Sequence, residues 1–504
     1  MSRRSPSPAA VLAVVSFGVF IAADDLTVAA TMLRQIIGDL GIPLPEGLGD
    51  AAWIVNAYLV AYVAVMPFMG RLSDVVGRRR VFTGALAVFL IGSIWVAQTD
   101  TLGWFIGGRV LTAIGGGAMV PVALAVISDV YEERRRPAAL GVLSAVDTIG
   151  WVWGPLFGAM LVRFLDWRWQ FHLNVPLALI GMAAAWWVLR EHDRPSERRR
   201  MDWPAAAALS AALVGLNVAL LNTGQISGVG DLAELADLTG TRSFPMVPVI
   251  VASAAALGLF LWLELRSRDP LIDLRLFALP NVSAALAINF LAGAVLVVAM
   301  VDVPLFVNLV VETDLKAAAV TSGWVLSALT AAMAVAAYLG GLLTEWSWYR
   351  PVIMTGLVMS GTGFALMGWL WSPATGPWVM AGHLALLGAG FGLLTAPTNA
   401  AVVDAVPAER RGVGGGLVIL ARLLGLAVGL SGLTAWFLHR FEVLRSTLDL
   451  PPASDPGYRD ALDAARASVT ASALGETFVF AAALVVVAGL VSLGLRRRPS
   501  RITS

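Results

Sequence analysis

Fourteen runs of apolar residues follow one another along the chain, and each is long enough to cross a membrane as a helix. A hydrocarbon core about 30 Å thick needs roughly 20 helical residues, because a helix rises about 1.5 Å per residue. The runs lie near 11–33, 52–70, 81–98, 103–128, 138–162, 170–189, 204–223, 246–264, 281–301, 317–343, 351–371, 378–403, 412–436 and 474–495. The pattern predicts an all-α polytopic membrane protein with fourteen transmembrane helices.

Composition excludes a soluble globular protein. Of the 504 residues, 58% are hydrophobic and 14% are charged, whereas about a quarter of an average soluble chain is charged. The net charge of +1 provides no basic excess for nucleic acid. The chain has no cysteine, only four histidines, and neither a phosphate-binding loop nor a nucleophile motif. We therefore expect no metal, no cofactor and no enzymatic activity.

Arginine is concentrated in loops that alternate along the chain, which is typical of the cytoplasmic side of membrane proteins. These arginines lie at 78–80, 134–136, 198–200, 266 and 268, 410–411 and 496–498. Other loops, such as 231–237 and 312–314, are acidic. We expect both termini to be cytoplasmic. A signal peptide is the alternative interpretation of the first run. A retained span is favoured by the polar Asp24 and Asp25 within the run and by the thirteen runs that follow.

A weak internal repeat divides the chain. In both copies an acid stands four residues after a glycine and a base nine residues after it; the copies are Gly70, Asp74 and Arg79, and Gly341, Glu345 and Arg350. Each copy follows the second run of a six-run half. The repeat predicts a six-helix half at 1–200, two inserted helices at 201–268 and a second half at 269–504. Parallel halves of this kind build many secondary transporters.

The loop at 70–80 is a candidate conformational latch. Its order of glycine, acid, glycine and base is not explained by an ordinary positively charged loop, although such a loop would explain the arginines. The candidate latch residues are Gly70, Asp74, Gly77, Arg78 and Arg79, with Gly341, Glu345 and Arg350 in the second half.

This loop resembles the signature loop of the major facilitator superfamily, G-x-L-a-D-r-x-G-r-r, with Val75 where the family usually has arginine. Further segments resemble the branch of fourteen-helix drug:proton antiporters, although Thr112 and Ala113 replace the glutamine and glycine common there. These segments are 25–28, 53–58, 150–155, 167–169 and 174–176. Segments 301–306 and 435–441 are similar to mycobacterial multidrug and triacylglycerol exporters that work beside a periplasmic lipoprotein. The resemblance implies a major facilitator fold and proton-driven export.

Ionisable residues inside the runs are the strongest functional signal, because each costs several kcal/mol in hydrocarbon. Asp25 and Arg109 share one level by helix rise, about 9 Å from the outer side. Asp147 and Arg422 both lie near the midplane, about 14–15 Å deep. Asp24 points about 100° away from Asp25 and ranks second as a proton carrier. These five residues are the candidate proton-coupling and transport site; for each pair the alternative is a static interior salt bridge.

The fifth run carries Gly150, Gly154 and Gly158 on one face, beside Pro155. Glycines at this spacing let helices approach closely. Ordinary helix packing explains them, and the resemblance adds a second interpretation, a seam that seals the pathway against proton leak. Trp151 lies one turn beyond Asp147 and is a candidate cavity residue, with core packing as its alternative.

The segment 437–472 predicts a helical hairpin on the outer side, because apolar residues recur there at helical spacing on either side of Pro451 and Pro452. It is either a spacer or a platform that receives lipid or docks a periplasmic lipoprotein carrier. Taken together, these features predict a proton-coupled, alternating-access exporter of hydrophobic substrates such as triacylglycerol-like lipids or amphipathic drugs, and we expect a monomer. The alternatives are an ion-independent lipid flippase or scramblase, and a pure multidrug efflux pump.

Overall fold

The computed structural model describes residues 6–43, 51, 53–192, 201–223, 246–267, 269–311, 315–446 and 458–496. Within these ranges the chain forms long helices and no β-strand. The helices are α1 (Pro8–Asp39), α2 (Trp53–Val76), α3 (Arg78–Ala97), α4 (Leu102–Val130), α5 (Arg136–Phe164), α6 (Arg168–Val188), α7 (Trp203–Thr223), α8 (Met246–Arg266), α9 (Pro280–Phe306), α10 (Leu315–Trp346), α11 (Tyr349–Leu370), α12 (Pro377–Ala405), α13 (Arg411–Ser446) and α14 (Tyr458–Ser492).

Thirteen of the described helices are long and apolar enough to cross a membrane. The remaining one, α7, contains a shorter apolar stretch at Trp203–Ala219, in the place of the seventh run. A π-helical turn, Val307–Val311, extends α9. The all-α polytopic fold is confirmed, and the chain is a multi-pass membrane protein. The acidic loops predicted at 231–237 and 312–314 lie outside the described residues.

The helix bundle has two faces that differ in the charge of their loops. The basic face carries Gly77, Arg135 and Arg410, and the opposite face carries Asp100 and Asp166. Gly77 joins α2 to α3 with a φ of 112°, which is a conformation that glycine adopts without strain. Gly77 therefore permits a tight turn between α2 and α3.

The inserted helices α7 and α8 pack on each other and on the first half. The hydroxyl of Ser253 on α8 donates to the carbonyl of Ala212 on α7 at 2.7 Å. The hydroxyl of Ser210 on α7 donates to the carbonyl of Ala64 on α2 at 3.0 Å. The inserted pair is thus attached directly to the bundle. The predicted boundaries at 200 and 268 fall on residues outside the described ranges.

Helices α13 and α14 are longer than a bilayer requires. They contain 36 and 35 residues, which correspond to about 54 Å and 52 Å at the helical rise. A hydrocarbon core takes only about 30 Å of this length. Helix α13 continues to Ser446, and α14 begins at Tyr458, so both extend beyond the opposite face at the predicted hairpin. Residues 447–457 lie outside the described ranges.

Candidate functional site

Asp25 and Arg109 form an ion pair inside the first half. Nη1 of Arg109 donates to Oδ2 of Asp25 at 2.7 Å, and both side chains are completely buried. Nη2 of Arg109 also donates to the backbone carbonyl of Asp25 at 3.1 Å. The guanidinium lies over the ring of Tyr58, 4.2 Å from its centroid, which adds a cation–π contact. The structure therefore joins two residues that helix rise places at one level.

Helix α6 contributes two amides, one turn apart, that contact the two adjacent carboxylates. Nδ2 of Asn174 donates to Oδ1 of Asp25 at 3.1 Å. Nε2 of Gln170 donates to Oδ2 of Asp24 at 2.7 Å. Among the described residues, Oδ1 of Asp24 and Oε1 of Gln170 are buried without a hydrogen-bond partner. Asp25 is thus held by a cation and an amide, whereas Asp24 is held by an amide alone.

Asp147 of α5 and Arg422 of α13 face each other across the two halves without a salt bridge within 4 Å in the described part of the chain. Nη2 of Arg422 instead donates to Oδ1 of Asn289 on α9 at 3.1 Å. Trp151 neighbours the carboxylate of Asp147. Asp147, Trp151 and Arg422 are all partly accessible, so they border interior space rather than the closed core. In this conformation Asp147 and Arg422 are therefore not paired.

The glycines of α5 form the surface on which α1 packs. A Cβ atom on Gly150 would lie 2.6 Å from Cβ of Ala23. One on Gly154 would collide with the hydroxyl of Thr27, and one on Gly158 with that of Thr31. Side chains at these positions would push α1 away from α5 just where Asp24 and Asp25 lie. Helix α5 runs unbroken through Pro155.

On the basic face, the latch loop meets the second half directly. Arg78 pairs with Asp74, and its Nε donates to Oδ2 of Asp129 at 3.1 Å. Oδ1 of the same Asp129 accepts from Arg411 at 3.2 Å. A Cβ atom on Gly70 would collide with the backbone carbonyl of Gly412. One carboxylate, Asp129, therefore links an arginine of each half.

A second contact between the halves involves α5 and α12. Arg136 pairs with Asp404, which also accepts a hydrogen bond from Tyr349. Gly341 of α10 packs against the backbone carbonyl of Pro137, so a side chain at 341 would displace α5. Gly341 therefore permits the close approach of α10 to α5, and its part in the latch stays a prediction.

Three candidate latch residues take no part in the described ion pairs between the halves. Arg79 lies over the ring of Trp186 on α6, 3.6 Å from the centroid, and so packs on its own half. Glu345 and Arg350 form no ion pair within the described ranges. Their part in the latch stays a prediction.

A further link on the basic face joins Arg410 to Asp273, which caps a short 3₁₀ helix, Leu274–Ala278. Partial burial raises the pKa of Asp273, but the backbone N–H of Arg275 and the guanidinium of Arg410 outweigh this effect. The pKa therefore lies below its ordinary value. This link lies within the second half. The described ionic contacts between the halves, through Asp129 and Asp404, also lie at the basic face, which closes the bundle on that side.

Several of these residues were not singled out from the sequence. Gln170 and Asn289 are lone amides in apolar runs, and their spacing from a partner is visible only in three dimensions. Asp129 and Asp404 stand at helix ends among loop charges, where solvated acids are common. The described residues contain no group of His, Asp or Glu side chains arranged to hold a metal ion.

A family model for the Major Facilitator Superfamily matches residues 15–430. A triacylglyceride transporter of Mycobacterium tuberculosis H37Rv is 33% identical over 501 residues, covering 95% of this chain and 92% of the relative. A probable triacylglyceride transporter of Mycobacterium leprae is 31% identical over 504 residues, covering 96% and 95%.

Two solved structures share the fold. A human organic anion transporter has a TM-score of 0.60 at 15% identity, covering 97% of this chain and 100% of the other. A proton:xylose symporter has a TM-score of 0.62 at 13% identity, covering 96% and 94%. At such low identity the likeness concerns architecture alone.

Proposed function

Since the chain belongs to the major facilitator superfamily and is a transporter rather than an enzyme, we propose that it is a proton-coupled exporter of triacylglycerol-like lipids. The observation that carries the coupling is the Asp25–Arg109 pair, which is dry and completely buried. An ion pair in such a place is weak evidence for stability, because desolvation offsets much of the attraction. A role in the transport cycle accounts better for its position.

In the proposed cycle, the proton and the guanidinium compete for Asp25. While Arg109 is bound, the carboxylate is charged and paired. When rocking of the halves is accompanied by a shift of α4 against α1 that withdraws Arg109, an isolated charge in this dry site is unfavourable, and Asp25 takes a proton. Oδ1 of Asp24 has no hydrogen-bond partner among the described residues. Asp24 is therefore the second carboxylate available to the same proton.

Alternating access is supported by the contrast between the closed basic face and the open second pair. Asp129 and Asp404 hold the halves together on one side, while Asp147 and Arg422 are not in contact. We propose that Asp147 and Arg422 pair in the opposite state, when the basic face opens. In this scheme the glycine seam of α5 keeps α1 close enough to prevent a proton leak along the carboxylates.

The lipid substrate is proposed from the relatives, whose names state triacylglyceride transport. The extended α13 and α14 fit a substrate that must leave the membrane surface, and they provide a place for a periplasmic lipoprotein carrier. We place the chain in a bacterial cytoplasmic membrane as a monomer, with the basic face and both termini in the cytoplasm, following its arginine distribution.

Multidrug efflux is the second candidate, favoured by the resemblance of segments 25–28 and 150–155 to drug:proton antiporters. Ion-independent lipid scrambling is the third. Purified protein in proteoliposomes discriminates among them. Our proposal requires lipid export that stops when the proton gradient is collapsed. Export of cationic dyes without lipid would favour a drug pump, and lipid flux that survives the collapse would favour a scramblase.

A further inference from the structure

An open groove of about 720 Å³ lies where the outer ends of α11 and α14 meet, beside Trp436 of α13. We call it the outer groove. Its floor includes Gly368 of α11 and Gly475 of α14. A Cβ atom on Gly368 would lie 2.7 Å from Cγ2 of Val479. The two glycines therefore let α11 and α14 approach closely.

The outer groove crosses the level at which the hydrocarbon core ends. Ala483, at its inner end, lies nine residues from the end of α14 at Ser492, or about 14 Å by helix rise. Ser468, at its other end, lies 24 residues away, or about 36 Å. A core about 30 Å thick ends between them. The groove thus runs from lipid-facing α14 to the part of α14 that projects beyond the bilayer.

Aromatic side chains wall the groove, and Glu476, the charged residue among its described lining, is paired with Arg440 of α13. The rings of Trp436 and Phe480 stack with centroids 5.3 Å apart, and Trp369 is 74% exposed on the other side. Glu476 accepts from Nε and Nη2 of Arg440, so the two charges satisfy each other. The described lining, which also includes Ser372, Ser468 and Ser472, is therefore mainly apolar and offers a ligand no unpaired charge.

We propose that the outer groove holds one acyl chain of an uncharged glycerolipid while the lipid passes from the outer leaflet onto the extended ends of α13 and α14. This inference rests on the proposed function, because it gives the exported lipid its route of departure. An acyl chain fits because the described lining is mainly apolar and the groove is open at the surface. An uncharged head group fits because Glu476, the charged residue among the described lining, is already neutralised by Arg440.

The test is photo-crosslinking in proteoliposomes of phosphatidylglycerol and phosphatidylethanolamine. The probe is a triacylglycerol with a diazirine on one acyl chain, and a second arm uses phosphatidylethanolamine with the same diazirine chain. Cross-linked peptides are mapped by mass spectrometry. We expect triacylglycerol to label 368–373 and 468–483 and phosphatidylethanolamine to label them at least about tenfold less, a ratio equivalent to about 1.4 kcal/mol of affinity.

Ser472→Trp, which fills the groove from an exposed position, should reduce triacylglycerol labelling about tenfold. Val486→Trp is the matched control, since Val486 is 62% exposed on α14 and does not line the groove. Ser468→Trp repeats the test if Ser472→Trp does not elute as folded protein in gel filtration. Equal labelling by both lipids, labelling elsewhere, or labelling unaffected by the groove variants would overturn the proposal.

Asp25→Asn separates this inference from the proposed function. The described lining of the groove comes from α11 and its following loop, α13 and α14, whereas Asp25 lies on α1. The variant should therefore be labelled like the wild type even though proton-driven export stops. Normal groove labelling together with proton-independent export would therefore reject the coupling and retain the lipid site. Absent labelling with normal proton-driven lipid export would do the reverse.

Discussion

Replacement of Asp25 by asparagine separates the two roles that a buried ion pair can have. The amide keeps the shape of the side chain but removes its charge. Arg109 then keeps its bond to the backbone carbonyl of residue 25 at 3.1 Å and loses the carboxylate at 2.7 Å. Because both side chains are completely buried, we expect a loss of about 3–5 kcal/mol in the free energy of unfolding, the cost of an unpaired charge in a dry site. Proton-driven export should be abolished.

The double variant Asp25→Asn with Arg109→Gln resolves the cause. Removing both charges eliminates the unpaired cation, and replacement of a buried pair by neutral groups is often close to neutral in stability. We expect the double variant to recover most of the lost melting temperature and to remain inactive. A purely structural pair would instead recover export along with stability.

Asp24→Asn is the matched control for stability only, because Asp24 is itself a candidate proton carrier. Asp24 accepts one hydrogen bond from Gln170 and contacts no described cation, so we expect its stability to change by about 1 kcal/mol or less. Melting temperatures of purified variants and export rates under an imposed pH gradient are the two measurements. Wild-type export by Asp25→Asn, or an unchanged melting temperature, would refute the reasoning.

Three further predictions concern the moving parts. Asp147→Asn and Arg422→Gln should each impair export, and the double variant should be less harmful than the sum; strictly additive losses in a double-mutant cycle would mean that the two residues do not communicate. Asp404→Asn removes the partner of Arg136 across the halves and should shift the bundle toward opening of the basic face, seen as longer spin-label distances there; unchanged distances would exclude a latch role. Replacing 445–470 by a short Gly/Ser linker should leave folding and proton binding intact and stop delivery of long-chain lipid, and undiminished lipid export would favour a drug pump.

The fold was predictable because lipid imposes a single length scale on each helix. The apolar run at 317–343 corresponds closely to α10 at Leu315–Trp346. Hydropathy fails where a helix leaves the membrane. Helix α1 continues to Asp39, six residues past its run, and there Asp39 accepts from the indole of Trp167 and Arg168. Hydropathy does not detect the polar residues at this end of α1, although their contacts hold the loop between α5 and α6.

The depth of the site residues in the membrane was predictable from the sequence, but whether two residues at one depth are in contact was not. Helix rise placed Asp25 level with Arg109, and the structure shows the contact. The same argument placed Asp147 level with Arg422, but depth does not determine the conformation in which two halves meet. Arg422 instead reaches Asn289, a residue of its own half. Contacts between halves depend on tertiary geometry that a single sequence does not contain.

The central claim is that lipid export is driven by protons through the Asp25–Arg109 pair. The most direct test is export of labelled triacylglycerol from proteoliposomes under an imposed pH gradient, with and without an ionophore that collapses it, for the wild type and Asp25→Asn. The account predicts export by the wild type that stops with the ionophore, and none by the variant. Wild-type export that persists after the gradient is collapsed, or gradient-driven export by Asp25→Asn, would contradict it.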